Sequence, residues 1–213
     1  MVSLPAKSLT LEEFLQQPET EPPSEFMEGE ITQKPTPQAK HSRLQLKLGS
    51  FINELLEPPQ LGMAFPELRC TFAGYAIVPD IAVIVWERIP VDEDGTIQNL
   101  IPFCPDWVIE ILSPDQNQVK LVKKILIGLA HGCQMGWIVA PEERLVFAYP
   151  AGQQPTVHED PQELIPVPAF AQGIQLTVET LFGWMRVRAD ESGKHSGDTQ
   201  AGHSPNPSPS GAQ

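Results

Sequence analysis

The sequence predicts an α/β fold in which a mixed β-sheet is flanked by helices, and three patterns along the chain support this prediction. Ile81–Val85 and Trp107–Leu112 are short, almost wholly apolar runs typical of buried strands. Val119–Ala130 follows them as an apolar helix, with Gly132 placed to end it. Gly136–Ala140 then has strand character again, and this strand–helix–strand order between antiparallel pieces favours a mixed sheet with helices packed on it.

The first sixty residues are predicted to contain two helices. Thr10–Gln17 begins with the Thr and Glu of a capping box, which predicts a short helix, and Phe26–Ile31 is interpreted as a strand that turns through Gly29. A second helix is predicted from Gln38 to the Pro58-Pro59 pair, which cannot continue a helix. Apolar residues recur along it at helical spacing and form one stripe: Leu44, Leu48, Phe51, Ile52 and Leu55.

Three further segments complete the predicted elements. Phe72 and Ala76–Val78 flank Gly74 as short strands. Arg144–Tyr149 is predicted to form a hairpin with the strand before it, and Ile174–Trp184 to contain a last strand and helix. We therefore expect one domain over residues 1–187. The polar, aperiodic residues 188–213 are expected to form a disordered tail.

Composition limits the class of protein. A chain of 213 residues suits one domain with a full core, and its net charge of -13 indicates a soluble protein that does not coat nucleic acid non-specifically. No apolar run is long enough to cross a membrane and no signal peptide is evident, so a cytoplasmic protein without membrane contact is expected. Cys70, Cys104 and Cys133 form no CxxC pair, which indicates free thiols.

Two carboxylates occupy positions where acids are unusual. Glu110 stands inside an apolar strand, where a carboxylate is costly to bury without a cation or hydrogen-bond donors. Asp80 follows Pro79 at the start of the strongest strand. Glu110 could instead pair with an internal base or lie on an exposed edge, and Asp80 could be a turn residue. On adjacent strands, however, the two acids could hold one hard divalent ion, Mg²⁺ or Mn²⁺.

Lysines on the following helix are candidates for a third functional group. Lys120, Lys123 and Lys124 lie on the helix that is entered directly from the Glu110 strand. Three lysines on a helix are commonly a solvated face. A lysine beside a metal-bound water could also position that water for attack.

Short motifs that follow one another in a particular order and spacing give a more specific indication. They are Glu25, Gly29-Glu30, His41, Pro79-Asp80, Pro105 to Pro114, Lys124, Gly132 to Val139 and Glu142-Glu143-Arg144. Together these motifs resemble the bacterial Uma-type family of predicted restriction endonucleases, which lies in the PD-(D/E)xK nuclease superfamily. The resemblance extends from about Leu9 to Val187, nearly the whole expected domain.

The resemblance implies a restriction-endonuclease-like fold with Asp80 and Glu110 as the acids of the motif. The usual motif lysine would stand at Leu112, which cannot serve, and the family's alternative lysine on the next helix corresponds to Lys124. The sequence departs from the family pattern at Lys120, where an acid or polar residue is usual, and at Gly128, where Tyr is usual. It also has Ala140 where the family has the Asp of an Asp-Pro pair.

The expected function is metal-dependent hydrolysis of DNA, with Asp80 and Glu110 as metal ligands and Lys124 completing the catalytic set. One face of the second helix is the best candidate for contacts with backbone phosphates: Lys40, Arg43 and Lys47. A structural role is favoured for His41, and Glu30 could equally join the metal site or lie exposed at a strand end. A homodimer is left open. Two other hypotheses remain: a catalytically degenerate binding or dimerisation module on the same fold, and a metal-dependent hydrolase of another substrate.

Overall fold

The structure is a computed structural model and describes residues 9–114 and 116–187. The helices are α1 (Leu11–Leu15), α2 (Ala39–Leu56), α3 (Gln118–Ala130) and α4 (Val178–Gly183). The strands are β1 (Ser24–Met27), β2 (Glu30–Gln33), β3 (Gly62–Pro66), β4 (Cys70–Phe72), β5 (Tyr75–Ile77), β6 (Ile81–Val85), β7 (Trp107–Ile111), β8 (Met135–Ala140), β9 (Leu145–Pro150) and β10 (Thr156–His158). The expected disordered tail, residues 188–213, lies outside the described residues.

A six-stranded mixed sheet with the order β10-β9-β8-β7-β6-β3 forms the centre of the described chain. Only β7 and β8 pair in parallel; the other neighbours are antiparallel. The parallel pair requires a crossover, and α3 provides it. The strand–helix–strand unit predicted from the sequence is therefore confirmed, and so is the mixed sheet flanked by helices.

Each face of this sheet has its own hydrophobic core. Odd-numbered residues of β7, among them Trp107 and Ile109, face α2. In this core the rings of Trp107 and Trp137 pack edge to face, with 4.7 Å between their centroids. Val108 faces the other way and packs against Leu121 and Ile125 of α3. The alternation of faces that the sequence predicts for this strand is the reason that Glu110 faces α3 as well.

A second, four-stranded sheet with the order β2-β1-β5-β4 lies beside the first. The β1–β2 hairpin turns at Glu28 and at Gly29, whose φ of 82° suits glycine. This sheet brings Glu25 of β1 and Lys34, just after β2, to the ends of β6 and β7, as the contacts described below show. Sequence patterns predicted its strand segments but not that they form a separate sheet.

Most predicted elements are confirmed, including the capping box of Thr10 and Glu13 at α1 and the span of α2. In the apolar stripe of α2, however, Leu55 is 41% exposed, and the buried residue is Leu56. The prediction of a strand beginning near Ile174 is wrong. That segment forms a single bridge, Leu164 with Thr177, because it pairs with a loop and not with an edge of either sheet. The short edge strands β3 and β10 were not predicted.

Candidate metal and catalytic site

Asp80 and Glu110 lie opposite each other on neighbouring antiparallel strands. Ile81 pairs with Ile109, so the same register places Asp80, the residue before β6, across from Glu110. Directly opposed residues project to the same side of a sheet. Asp80 is 2% exposed and Glu110 is completely buried. The structure thus brings the two predicted acids together at one end of the β6–β7 pair.

Three donors surround the Asp80 carboxylate. The Lys34 ammonium donates to Oδ1 at 2.6 Å, and the Ile111 amide donates to Oδ2 at 2.6 Å. His41 Nε2 lies 3.1 Å from the same Oδ2. Burial alone would raise the pKa of Asp80, but the hydrogen bond from His41 and the Lys34 charge outweigh it and hold the pKa well below its ordinary range. Asp80 is therefore an anion at all physiological pH values.

Glu110 has a very different environment. The Lys124 ammonium lies 2.9 Å from its Oε1, yet neither carboxylate oxygen accepts a well-formed hydrogen bond from any described residue. Burial raises the pKa of Glu110 to about 8, although the Lys124 charge opposes this shift. A buried carboxylate without hydrogen-bond donors is expensive. Glu110 thus has a charged neighbour in Lys124, but both of its oxygens lack a well-formed hydrogen bond.

Lys124 is held between two carboxylates. Its ammonium lies 2.7 Å from Glu25 Oε1 and 2.9 Å from Glu110 Oε1, and the side chain is 2% exposed. Glu25 is fixed in turn, because its Oε1 accepts the Val78 amide hydrogen at 2.7 Å. Burial lowers the pKa of Lys124, but the charges of Glu110 and Glu25 more than compensate, so the pKa is raised. The two carboxylates therefore favour the charged form of Lys124, in which it is a hydrogen-bond donor.

Lys34 is a second buried lysine in the site, and sequence patterns did not single it out. Besides Asp80, its ammonium donates to the Val78 carbonyl at 3.0 Å and to Glu67 Oε1 at 3.3 Å. Lys34 lies directly after an edge strand in a segment rich in proline, where a lysine is normally exposed. No periodic signal could have predicted that it reaches Asp80.

A cavity of about 330 Å³ adjoins these groups. Its polar lining includes Lys34, Lys120, Lys124 and Glu25, and Met27 contributes to the apolar wall. The cavity lies beside the amino-terminal end of α3, where Asn117 caps the Val119 amide. A ligand in this cavity would meet both buried lysines of the site.

The donor set fits a hard divalent ion. Mg²⁺ keeps several water ligands and commonly takes only one or two protein carboxylates. Asp80 and Glu110 supply two, and the two oxygens of Glu110 have no competing hydrogen bond. No group of three or more His, Cys, Asp or Glu side chains among the described residues is placed to hold a metal ion. The pair is therefore sufficient only for an ion that retains water, and Lys34 currently occupies Asp80 Oδ1.

The other predicted candidates occupy varied places. His41 contacts Asp80, whereas Glu30 is exposed on the edge strand β2. Lys123 is exposed and forms an ion pair with Glu28 at the β1–β2 turn, while Lys120 is exposed at the rim of the cavity. Only Lys124 of the three α3 lysines contacts the acids.

The basic face of α2 is partly neutralised. Lys40 lies 2.8 Å from Glu142 Oε1, and Arg43 donates to the Trp184 carbonyl at 3.2 Å. Both groups remain near the surface but already have partners. The face considered for phosphate contacts is thus less available than its sequence suggested.

The fold is that of a restriction-endonuclease-like protein, and comparison with known proteins agrees. The Uma2 family, described as "Putative restriction endonuclease", matches residues 11–179, and the chain belongs to this family. A solved structure titled as a putative nuclease belonging to DUF820 from Anabaena variabilis is 50% identical, with a TM-score of 0.82. The match covers 84% of this chain and 99% of that one. No curated protein matches the chain.

None of the helices within the described residues is long and apolar enough to span a bilayer. The three cysteines are all buried, free thiols, as their spacing predicted. Cys104 and Cys133 lie in the core between β7 and α3 and take no part in the acid site.

Proposed function

We propose that the protein is a nuclease that hydrolyses phosphodiester bonds of DNA with a divalent metal ion, Mg²⁺ or Mn²⁺, held by Asp80 and Glu110. The observation that carries the proposal is the register that opposes these two buried acids, with the Lys124 ammonium 2.9 Å from Glu110. Membership of the Uma2 family supports the same reaction class.

Each group has a distinct role in this proposal. The bound metal ion would polarise the scissile phosphate and lower the pKa of a bound water. Asp80 remains anionic because Lys34 and His41 stabilise its charge. Lys124 donates hydrogen bonds to the attacking water or to the phosphate oxygens, and its positive charge offsets the negative charge that develops there. Glu25 keeps the Lys124 ammonium in place.

The adjoining cavity supports an anionic substrate. Its lining combines the ammonium groups of Lys34, Lys120 and Lys124 with an apolar wall that includes Met27 and Leu121. A phosphodiester with its attached sugar and base presents a charged centre and flat apolar surfaces. Backbone phosphate contacts alone do not distinguish DNA sequences.

Plasmid nicking tests the proposed reaction. Supercoiled DNA is incubated with the wild-type protein and with Asp80→Asn, in Mg²⁺, in Mn²⁺ and in EDTA. Asp80→Asn is close to Asp in size, but it removes the charge and replaces one acceptor oxygen with an NH2 donor, so its fold is first checked by circular dichroism. Loss of metal-dependent nicking in the folded variant assigns the reaction to the acid pair. Nicking that persists in Asp80→Asn or in EDTA would contradict the proposal.

A second candidate is a binding module that has kept the fold without the reaction, and one observation favours it. Both oxygens of Asp80 already have partners within the protein: Lys34, His41 and the Ile111 amide. A site neutralised in this way could be purely structural. The two candidates differ in metal binding, because a module has no reason to bind a divalent ion at Asp80 and Glu110.

A further inference from the structure

We infer that Lys34 is an internal counter-ion that a divalent metal must displace from Asp80, and that the displaced ammonium then binds phosphate in the adjoining cavity. The inference rests on the proposed function and extends it. It makes metal binding and substrate binding depend on each other through one side chain.

The contacts of Lys34 show that it occupies the Asp80 oxygen that a metal ion at this site would need. Its ammonium lies 2.6 Å from Asp80 Oδ1, the oxygen that neither His41 nor the Ile111 amide contacts. A metal ion that bound this oxygen directly would lie within the space of the ammonium group. Two cations cannot both occupy that position, so the lysine has to move when the metal binds.

Lys34 and Lys124 differ in how firmly the protein holds them. Lys124 has the buried Glu25 as a second partner, so its ammonium can remain in place if Glu110 turns to a metal ion. The other partners of Lys34 are the Val78 carbonyl and Glu67, whose side chain is 37% exposed. A partly solvated carboxylate gives a weaker interaction than a buried one. Lys34 is therefore the lysine that leaves its acid.

The cavity offers a place for the displaced ammonium. Lys34 forms part of its lining together with Lys120 and Lys124. A phosphodiester in the cavity would provide the negative charge that Lys34 gives up when it leaves Asp80. A ligand that favours the displaced position must strengthen metal binding, and the metal must strengthen phosphate binding by the same factor.

Calorimetric titration with Mn²⁺ alone tests the first part. The wild-type protein is stripped with EDTA, dialysed and compared with Lys34→Met, which keeps the stem but removes the competing charge. Lys120→Met is the matched control, because it removes a positive charge from the same cavity without freeing an acid. We expect Lys34→Met to bind Mn²⁺ roughly 10-fold more tightly than wild type, within the usual range of coupling between sites. The Lys120→Met change should be much smaller.

Dimethyl phosphate tests the second part, since it carries the single negative charge of a phosphodiester without the sugar and base of a nucleotide. At constant ionic strength it should tighten Mn²⁺ binding by wild type and by Lys120→Met but not by Lys34→Met. Equal tightening in all three proteins, or none in wild type, overturns the coupling through Lys34.

The remaining outcomes separate this inference from the proposed function. If wild type binds Mn²⁺ and Lys34→Met binds it equally or more weakly, Lys34 is not a competitor and the inference is wrong. If neither protein binds Mn²⁺, the proposed metal site itself fails. Should Lys34→Met not fold, Glu67→Gln weakens the hold on Lys34 without touching Asp80. It should tighten Mn²⁺ binding, and an unchanged affinity would overturn the inference.

Discussion

Asp80 and Glu110 face each other across the β6–β7 pair, yet each carboxylate contacts a different lysine, Lys34 for Asp80 and Lys124 for Glu110. Asp80 has three donors and a lowered pKa, whereas Glu110 has no well-formed hydrogen bond and a pKa of about 8. Two opposed acids with such different surroundings are not equivalent ligands. The metal-free site has one satisfied acid and one that gains most from an added cation.

Lys124→Met should still bind metal, but it should cleave DNA at least roughly 10²-fold more slowly, the usual effect of losing a positioning group. Without metal the variant should also be less stable than wild type, because Glu25 and Glu110 lose their buried cation. The substitution keeps the buried stem and removes the one charge among the described residues that contacts both Glu25 and Glu110. Rates of plasmid nicking at saturating Mg²⁺ measure the effect.

Lys120→Met is the control for this substitution, because Lys120 lies one turn earlier on α3 and contacts neither acid. It should lower the nicking rate much less. Equal rates for the two variants, or a larger loss in Lys120→Met, would show that the catalytic lysine is wrongly assigned.

Glu25→Gln should destabilise the metal-free protein by about 1.5–3 kcal/mol, the range for a hydrogen bond to a charged group. Gln retains an oxygen for the Val78 amide but removes one of the two charges that hold Lys124. Glu28→Gln is the matched control: it breaks the exposed pair with Lys123 on the same helix and should have little effect. Urea unfolding in EDTA measures both variants, and equal midpoints would contradict a buried Glu25–Lys124 pair.

The raised pKa of Glu110 predicts how stability depends on pH. Between its ordinary value of 4.5 and about 8, folded Glu110 holds a proton that the unfolded chain has lost, so its contribution to stability is full below pH 4.5 and disappears as the pH rises to about 8. Glu110→Gln cannot titrate at this position. The difference in stability between wild type and this variant therefore isolates Glu110, because the other titrating groups are the same in both proteins. In EDTA, wild type should therefore lose stability relative to Glu110→Gln across that window. If the melting temperatures of wild type and Glu110→Gln change with pH in parallel across this window, the raised pKa of Glu110 is contradicted.

The position of α3 depends on a glycine in β8. A Cβ at Gly136 would lie 2.3 Å from Cγ2 of Ile125, the neighbour of Lys124, so Gly136→Ala should destabilise by roughly 1–3 kcal/mol through overpacking. Adding Ile125→Ala should relieve the clash, so the double variant should lose less than the sum of the two single losses. Gly49→Ala, with open space around it in α2, should be stabilising by about 0.5–1 kcal/mol. Thermal unfolding that ranks Gly136→Ala with Gly49→Ala would contradict this packing.

The central sheet was predictable because its strands are continuous apolar runs and its crossover helix has a clear glycine end. The same patterns indicated Asp80 and Glu110, because an acid in an apolar strand is conspicuous. The exposure of Leu55 shows the limit of this approach, since a stripe read at helical spacing does not decide which of two adjacent leucines faces the core.

Other parts of the site depend on contacts that no local pattern encodes. Lys34 reaches Asp80 because a second sheet lies against the ends of β6 and β7, and sequence periodicity does not predict how two sheets are placed. Glu25 stands next to Phe26 on β1, and this polar–apolar alternation predicts that Glu25 faces solvent. It is buried instead because Lys124 of α3 lies against it. The resemblance to the Uma-type family, confirmed by the family match, indicated Glu25 without its role.

The central claim is that Asp80 and Glu110 together bind one divalent ion, and the anomalous scattering of Mn²⁺ in crystals of the wild-type protein tests it most directly. We expect one strong peak at bonding distance from an oxygen of each carboxylate, with the Lys34 ammonium moved away from Asp80. Crystals of Glu110→Gln that are treated with Mn²⁺ in the same way should show a much weaker peak or none. Manganese bound only to surface carboxylates, with Lys34 still on Asp80, would contradict the metal site.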